Sequence, residues 1–246
     1  MEEMPNIDTW EDDDLANLGI PDIFGFDVNS SGEIDILRNV QGDGEFVFKF
    51  DSNGKFIKSF GTLGQGHGEF QNPHHIAIDH GDSVLIYDQD PQILYKYDKD
   101  GILIGDYKMS GDEARITSGP YENLLAAVHT SESDKGRTLN THILKLLNPN
   151  FEVLKVIDKF SFEWRRDKAR IIEPLLCWSI SRDNIYVANE DRGYEIWVHD
   201  SDGKLIRKIQ KEYKQVPCHL LDNYNIKKVY TVFEAVAELL IYLLYF

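Results

Sequence analysis

Short hydrophobic segments alternate with polar residues along most of the chain, and tight polar turns separate them. Three segments, residues 47–57, 94–104 and 196–206, align without gaps, and each holds a strand, an Asp-x-x-Gly turn and a second strand. The turn glycines are Gly54, Gly101 and Gly203. Their spacing leaves room for one more copy, and residues 142–153 supply it. A repeat of about fifty residues is typical of a propeller blade.

Each repeat contains two further predicted strands ahead of its hairpin, which places the blades at residues 21–60, 74–108, 112–160 and 175–210. The strands are short and rich in β-branched and aromatic residues, with Gly, Asp or Asn turns between them. Four strands in each of several repeats predict radial sheets rather than a sandwich. The predicted fold class is therefore all-β, a β-propeller of four-stranded antiparallel blades spanning residues 21–212.

Two segments interrupt the repeat, and both belong to the third unit or follow it. Residues 130–141 lengthen the connection between its second and third strands, and residues 160–170 lengthen the link to the fourth unit. We predict both as loops on the face of the propeller that holds the mouth of the channel. Because binding residues concentrate on loops held by a rigid scaffold, this face is the candidate functional face.

The two ends of the chain depart from the repeat. Residues 1–20 are acidic and poorly patterned, and we predict a flexible lead-in. Residues 213–246 are apolar, and from Phe233 to Leu244 the hydrophobic residues recur at helical spacing. A helix that covers an exposed sheet edge is the first interpretation, a truncated fifth blade the second and a membrane anchor the third. The apolar stretch is short for crossing a bilayer and contains two glutamates.

The composition indicates a globular, acidic chain of 246 residues, with 42% hydrophobic and 12% aromatic residues. The formal net charge is −16, which repels phosphate backbones, so we expect no nucleic-acid partner. Cys177 and Cys218 form neither a disulfide framework nor a zinc-ligand pattern, and a single bridge or two buried thiols both stay open. The acidic start lacks the features of a signal peptide, so we expect export only if the chain begins upstream.

The Asp-x-x-Gly turns do not form calcium loops, which need a glutamate at the twelfth position. Counting from Asp98, that position holds Met109, and counting from Asp200 it holds Lys211. We interpret the turns as hairpins in which Asp caps the backbone and Gly takes a positive φ. The glycines of residues 61–68 lack the Lys-Ser/Thr of a nucleotide loop, and a crossover between blades explains them.

The run from Phe46 to Asp79 resembles the NHL repeat. The similarity rests on residues 48–51, on residues 64–70 and on Pro73 followed by Ile-Ala-Ile-Asp at 76–79. The whole chain looks like the six-bladed β-propeller proteins of bacteria that are built from NHL-like repeats. The resemblance implies a ring of blades around a channel, an exported protein and a binding scaffold. Four predicted blades fall short of six, so a truncated product of a longer gene and closure through a partner both stay open.

NHL-like propellers include the peptidyl-hydroxyglycine amidating lyases, which the run from Pro73 to Asp79 also resembles. In that family the histidine after the proline binds zinc in the channel, so the resemblance implies His74 as a ligand. A catalytic zinc needs about three protein ligands, and the third and fourth repeats have no histidine at this position. We therefore predict no metal and no other cofactor. A metal-dependent propeller enzyme, similar to the lyases or to lactonases, is the alternative function.

The candidate binding residues are the histidines and bases of the predicted mouth loops. They are His67, His74, His75, Arg165, Arg166, Lys168 and Arg170. The four bases form a basic cluster that could hold an acidic peptide or a carboxylate, although a solvated loop is the simpler interpretation. We predict a non-enzymatic scaffold that binds a protein, peptide or small molecule on this face, and we expect no membrane partner.

Overall fold

The computed structural model describes Leu18, Ile20 and residues 22–39, 44–109, 113–135, 137–165, 176–189, 192–193 and 195–211. The named elements of these residues are strands, and they form four separate four-stranded antiparallel sheets. The predicted all-β propeller architecture is confirmed. The helix predicted within 213–246 and nearly all of the lead-in at 1–20 lie outside the described residues. Among the residues described, no helix is long and apolar enough to cross a membrane.

Each sheet is one blade, and its strands pair in chain order. The first blade holds β1 (Ile23–Val28), β2 (Ile34–Arg38), β3 (Glu45–Phe50) and β4 (Phe56–Thr62). The second holds β5 (Pro73–Ile78), β6 (Val84–Asp88), β7 (Ile93–Tyr97) and β8 (Leu103–Lys108). The third holds β9 (Glu113–Ser118), β10 (Leu124–Asp134), β11 (Arg137–Leu147) and β12 (Val153–Arg165). The fourth holds β13 (Leu176–Ser181), β14 (Asn184–Asn189), β15 (Glu195–His199) and β16 (Leu205–Gln210).

Neighbouring blades pack face to face, and we call each such interface a seam. Successive residues of a strand point to opposite faces of its sheet. In β10, Leu124 therefore lies in the seam with the second blade, and Leu125 lies in the seam with the fourth. Both side chains are fully buried. The first strands of successive blades also contact each other, β1 against β5 and β5 against β9, so they form the inner wall of the propeller.

In the second, third and fourth blades, the turn between the third and fourth strands packs onto the last strand of the blade before it. Gly101 has a φ of +71°, and a Cβ there would lie 2.8 Å from the ring of Phe60 in β4. Gly203 also has a positive φ, of +73°, and a Cβ there would lie 2.5 Å from the side chain of Ile157 in β12. In the third blade Phe151 takes this place with a φ of +63°, and its ring centroid lies 4.2 Å from that of Tyr107. The turn glycines therefore permit the close approach of two blades.

Side chains from one blade satisfy the backbone of the next along the inner wall. The Ile78 N–H donates to Asp27 Oδ2 at 2.7 Å, and Ser118 Oγ donates to the Ile78 carbonyl at 2.6 Å. His75 Nε2 lies 2.7 Å from the Ile116 carbonyl. An inner strand has a free edge, and an unpaired backbone group there costs free energy. These contacts cover that edge and tie the first, second and third blades together.

The third blade corrects one prediction. Residues 130–134 and 137–141, predicted within a loop, continue β10 and β11 in unbroken register from Leu124↔Leu147 to Asp134↔Arg137. Residues 160–165, also predicted as a loop, belong to β12, which runs past the predicted end of the blade at residue 160. The polar side chains of these segments alternate as strand residues do, and pairing among the three strands satisfies the backbone groups that lie between them. The insertions are therefore extended strands that share one sheet.

Candidate binding site at the channel mouth

The mouth face carries the turns between second and third strands and the links between blades. In the third blade, the described pairing of β9 with β10 ends at Glu113↔His129, whereas β10, β11 and β12 continue together. We call this three-stranded continuation the arm, and it consists of Thr130–Asp134, Arg137–Thr141 and Ser161–Arg165. It extends beyond the last described residue of the inner strand of its blade, so it projects from the mouth face.

Aromatic stacking fixes the base of the arm on the side of the fourth blade. The ring centroids of His129 and His142 lie 4.7 Å apart, and those of His142 and Phe160 lie 5.0 Å apart with nearly parallel planes. Phe160 is buried. One row further out, Ser131 Oγ donates to Asn140 Oδ1 at 2.6 Å. The arm is thus a hydrogen-bonded, stacked continuation of the blade.

The opposite side of the arm is polar and accessible. Thr141 Oγ1 and Ser161 Oγ share a hydrogen bond of 2.8 Å. In the next row, Glu132, Leu139 and Glu163 are direct neighbours across the three strands. The Leu139 side chain is 43% exposed. The arm therefore presents hydroxyl groups and carboxylates around one exposed leucine.

The glycine-rich link between the first and second blades is a fixed crossover. Phe70 is fully buried and packs edge-to-face on Tyr97. Gly61 has a φ of +76°, and a Cβ there would lie 2.3 Å from the Phe70 ring. The Tyr97 hydroxyl donates to the Gly68 carbonyl at 2.9 Å, and burial raises the pKa of Tyr97. The glycines of this link serve packing and chain direction.

The three histidines predicted for this site do not converge. His67 is 74% exposed, and its Nδ1 lies 3.1 Å from Asp106 Oδ2 on the outer strand β8. The His74 ring lies 4.5 Å from that of Phe24 on the inner wall. His75 makes the bond to the third blade described above. Within the described part of the chain, no group of three His, Cys, Asp or Glu side chains is arranged to hold a metal ion.

A polar cluster between the third and fourth blades was not predicted. Arg192 donates to Asp158 Oδ1 at 2.8 Å, and its other terminal nitrogen lies 2.7 Å from Asp158 Oδ2. Asn189 Nδ2 donates to the same Oδ2 at 3.1 Å. The Arg192 guanidinium also stacks 4.1 Å from the centroid of Trp197. Asp158 and Arg192 belong to different repeats, so no local sequence motif predicts that they pair.

A family model described as a 6-bladed beta-propeller matches residues 32–157, about half of the chain. The protein belongs to this 6-bladed β-propeller family. The described residues of this member hold four blades. The expectation drawn from the NHL-like resemblance, a six-bladed propeller family, is confirmed.

Solved structures similar to this propeller are distant. A protein of unknown function from Bacteroides caccae is 11% identical with a TM-score of 0.39, covering 77% of this chain and 82% of its own. A virginiamycin B lyase from Staphylococcus aureus is 14% identical with a TM-score of 0.39, covering 67% and 47%. YCF48 bound to D1 peptide is 9% identical with a TM-score of 0.41, covering 73% and 50%. This propeller thus spans about half the length of the last two. No curated protein matches it.

The predicted basic cluster falls mostly outside the described residues of the propeller. The backbone of Arg165 ends β12, at the far row of the arm. Arg166, Lys168 and Arg170 lie in the segment between β12 and β13 that the structure does not describe. Their role as binding residues stays a prediction.

The opposite face of the propeller has an open cavity of about 680 Å³ among its turns. It is lined by His80, Tyr121, Glu122, Asn123, Pro149 and Asp183. His80 Nε2 lies 2.7 Å from the Gly119 carbonyl, another contact between the second and third blades. The cavity lies among turns that the repeat itself requires, whereas the arm is an addition to the repeat.

Proposed function

We propose that this protein is a non-enzymatic binding propeller that engages a protein, peptide or small molecule on its mouth face, with the arm as the main contact. The observation that carries the proposal is the continuation of β10, β11 and β12 beyond the pair Glu113↔His129. A blade needs strands only long enough to fill its two seams. The arm adds surface beyond the last described residue of the inner strand.

The construction of the arm supports a binding role. Its base is fixed by the stack of His129 on His142, so its outer rows are held in place before any ligand arrives. A pre-organised surface loses little conformational entropy on binding. Its outer rows expose Glu132, Leu139 and Glu163, which mix one apolar side chain with two charges. An apolar contact surrounded by a polar, solvent-accessible rim is the general anatomy of protein interfaces.

Selection of binders from a random peptide library against the full chain tests the proposal. The selected peptides are then measured by fluorescence anisotropy on a variant in which residues 132–139 are replaced by Asn-Gly. Hydrogen-bonded pairs alternate along the hairpin from Asp134↔Arg137, so the shortened hairpin closes at Thr130↔Thr141 through the four-residue loop Ser-Asn-Gly-Asn. We expect affinity to fall at least about tenfold, an amount that corresponds to the loss of one or two central contacts.

The matched control changes the opposite face. Glu122 lines the cavity there and is exposed, and Glu122→Lys should leave the affinity of the same peptides unchanged. If the shortened arm binds them as tightly as the full chain, or if the Glu122 variant alone weakens them, the arm is not the binding surface. Circular dichroism confirms that both variants keep the β-fold.

A further inference from the structure

We propose that residues 213–246 pack on the far face of the fourth blade, with residues 217–222 in the place of the first strand of a fifth blade. The far face is the side of β13, β14, β15 and β16 that points away from the third blade. Its central side chains are Cys177, Tyr186, Ala188, Ile196 and Val198. The inference goes beyond the proposed function, because it concerns the end of the row of blades and not the arm.

Strand pairing in the fourth blade defines the far face. Val187 of β14 lies in the seam with the third blade. Its neighbours in the strand, Tyr186 and Ala188, therefore point to the opposite side. Residues directly opposite each other in antiparallel strands share a face, so Val198 and Ile196 of β15, which pair with these two, point away from the third blade as well.

The far face is covered, although no fifth blade follows the fourth among the described residues. Ile196 and Val198 are 2% and 0% exposed, and neither is part of the apolar clusters among the described residues. A fully buried side chain contacts about 6–12 other residues, which is more than the neighbours within one sheet provide. The chain alone buries these side chains, so the residues that cover them belong to the chain itself.

The first blade, at the other end of the row, shows how such a face is covered. Ile36 and Phe48 lie on its side away from the second blade and are buried, and Ile20 packs on them. Ile20 belongs to the segment that precedes β1. The chain segment next to an end blade thus serves as its cover, and at the fourth blade the corresponding segment follows β16.

The path of the chain also favours residues 213–246 as the cover. In the first three blades, the chain passes from the fourth strand to the first strand of the next blade, and that blade packs on the preceding one. Residues 213–246 leave β16 at the same point of the repeat. Of these 34 residues 22 are hydrophobic, compared with 42% in the whole chain, which suits a segment that buries an apolar face.

A proline marks the entry to the first strand in three of the four blades. Pro21 and Pro174 stand two residues before β1 and β13, and Pro73 is the first residue of β5. The start of a strand tolerates proline, because a missing N–H there disrupts no ladder. Pro217 follows β16 in the same way, and Cys-His-Leu-Leu-Asp follows it as His-His-Ile-Ala-Ile-Asp follows Pro73. Residues 217–222 therefore resemble the first strand of a blade.

The proposed register brings the two cysteines of the chain together. The residue after Pro73 is His74, and its ring lies 4.5 Å from that of Phe24 on the first strand of the preceding blade. Cys218 follows its proline in the same way, so it should lie against β13. Cys177 of β13 points to the far face. We therefore expect the two thiols to lie close enough for a short cross-linker to join them.

Cross-linking of the two native thiols tests the inference on the full chain. The reduced protein is treated with a short bismaleimide at low protein concentration, digested and analysed by mass spectrometry. We expect a link between Cys177 and Cys218 of one chain as the main product. Its yield should fall about threefold or more in concentrated urea, where the link requires closure of a flexible loop. Modification of both thiols without a link, or a link only between two chains, would overturn the inference.

The alkylation rate of Cys177 measures the cover itself. In Cys218→Ser this thiol is the only one in the chain. Adding Leu220→Asp/Leu221→Asp places charges in the proposed strand, where their burial is costly. The segment should then open, and the reaction with N-ethylmaleimide should become about tenfold faster or more.

The matched control adds Leu205→Asp/Ile206→Asp instead, at exposed positions of β16, and should leave the alkylation rate nearly unchanged. Equal rates in the two variants would overturn the inference. Circular dichroism checks that each variant remains folded, and the cross-link in the unmodified chain does not depend on them.

Discussion

The second and third blades share a plan and differ in how far their strands continue. In the second blade β6, β7 and β8 have 5, 5 and 6 residues. In the third blade β10, β11 and β12 have 11, 11 and 13. Leu85 and Leu124 are fully buried in the seam that the two blades share. The short strands are thus sufficient for packing, and the added length of the third blade lies outside the seams.

This difference separates two tasks within one repeated unit. The seams contain buried apolar side chains, close turn contacts and capped backbone groups, all of which contribute to stability. The outer rows of the arm contain exposed side chains such as Glu132 and Leu139, which contribute little to it. Mutations in the seams should therefore change stability, and mutations in the outer arm should change binding. The predictions below test that separation in order of decreasing effect.

The largest effect is expected from Phe70→Ala in the link between the first two blades. Phe70 is fully buried against Tyr97, and truncation of a buried phenylalanine costs about 3–5 kcal/mol. Leu139→Ala on the arm is the control and should change the unfolding free energy by less than about 0.5 kcal/mol. Urea denaturation measures the unfolding free energy of both variants. Similar losses of unfolding free energy would show that the arm is part of the core.

Gly101→Ala should have the second largest effect. The φ of +71° is strained for alanine, and its Cβ would lie 2.8 Å from the Phe60 ring, so we expect a loss of about 1–3 kcal/mol. Gly81→Ala is the control, because the nearest atom to its Cβ would lie 3.3 Å away, and φ there is not positive. Thermal unfolding measures the Tm of both variants, and the Tm of Gly101→Ala should be the lower of the two. An unchanged Tm for Gly101→Ala would argue against a tight seam.

The third prediction concerns pH. Burial lowers the pKa of His75 below its ordinary value of 6.5, with the bond to Ile116 acting in the opposite direction. Between the folded and unfolded pKa values the unfolded state binds more protons, so stability falls as pH drops below about 6.5 and is fully present above it. In His75→Gln the unfolding free energy should decline less steeply below this pH. A slope identical to that of the wild type would contradict the role of His75 in the seam.

The smallest change in stability is expected from the shortened arm. Replacement of residues 132–139 by Asn-Gly keeps Ser131, Asn140 and the stack beneath them, so the unfolding free energy should shift by less than about 0.5 kcal/mol. The same variant is expected to lose peptide binding. A loss of several kcal/mol would show that the outer arm stabilises the propeller. The division between stabilising seams and a binding arm would then be wrong.

The blade architecture was predictable because its signals are local. The Asp-x-x-Gly turns and the alternating strands around Gly54, Gly101 and Gly203 mark every hairpin but the third. That hairpin has Phe151 at positive φ instead, and the spacing of the others revealed it. The six-bladed family followed from the run between Phe46 and Asp79.

The candidate site was much less predictable, because long-range contacts determine it. Residues 130–141 contain Ser, Thr, Glu and Asp with few hydrophobic residues, which is typical of a loop. Their strand conformation depends on pairing across β10, β11 and β12 and on the buried Phe160. The sequence likewise could not show that His75 contacts Ile116 in the next blade, so it appeared as a candidate binding residue beside His74.

Hydrogen–deuterium exchange on a peptide complex tests the central claim most directly. The full chain is measured alone and with the tightest peptide from the library selection. We predict slower exchange of backbone amides in residues 130–134 and no change in residues 119–123 on the opposite face. Protection of residues 119–123 with unchanged exchange on the arm would contradict the account and would move the binding surface to the other side of the propeller.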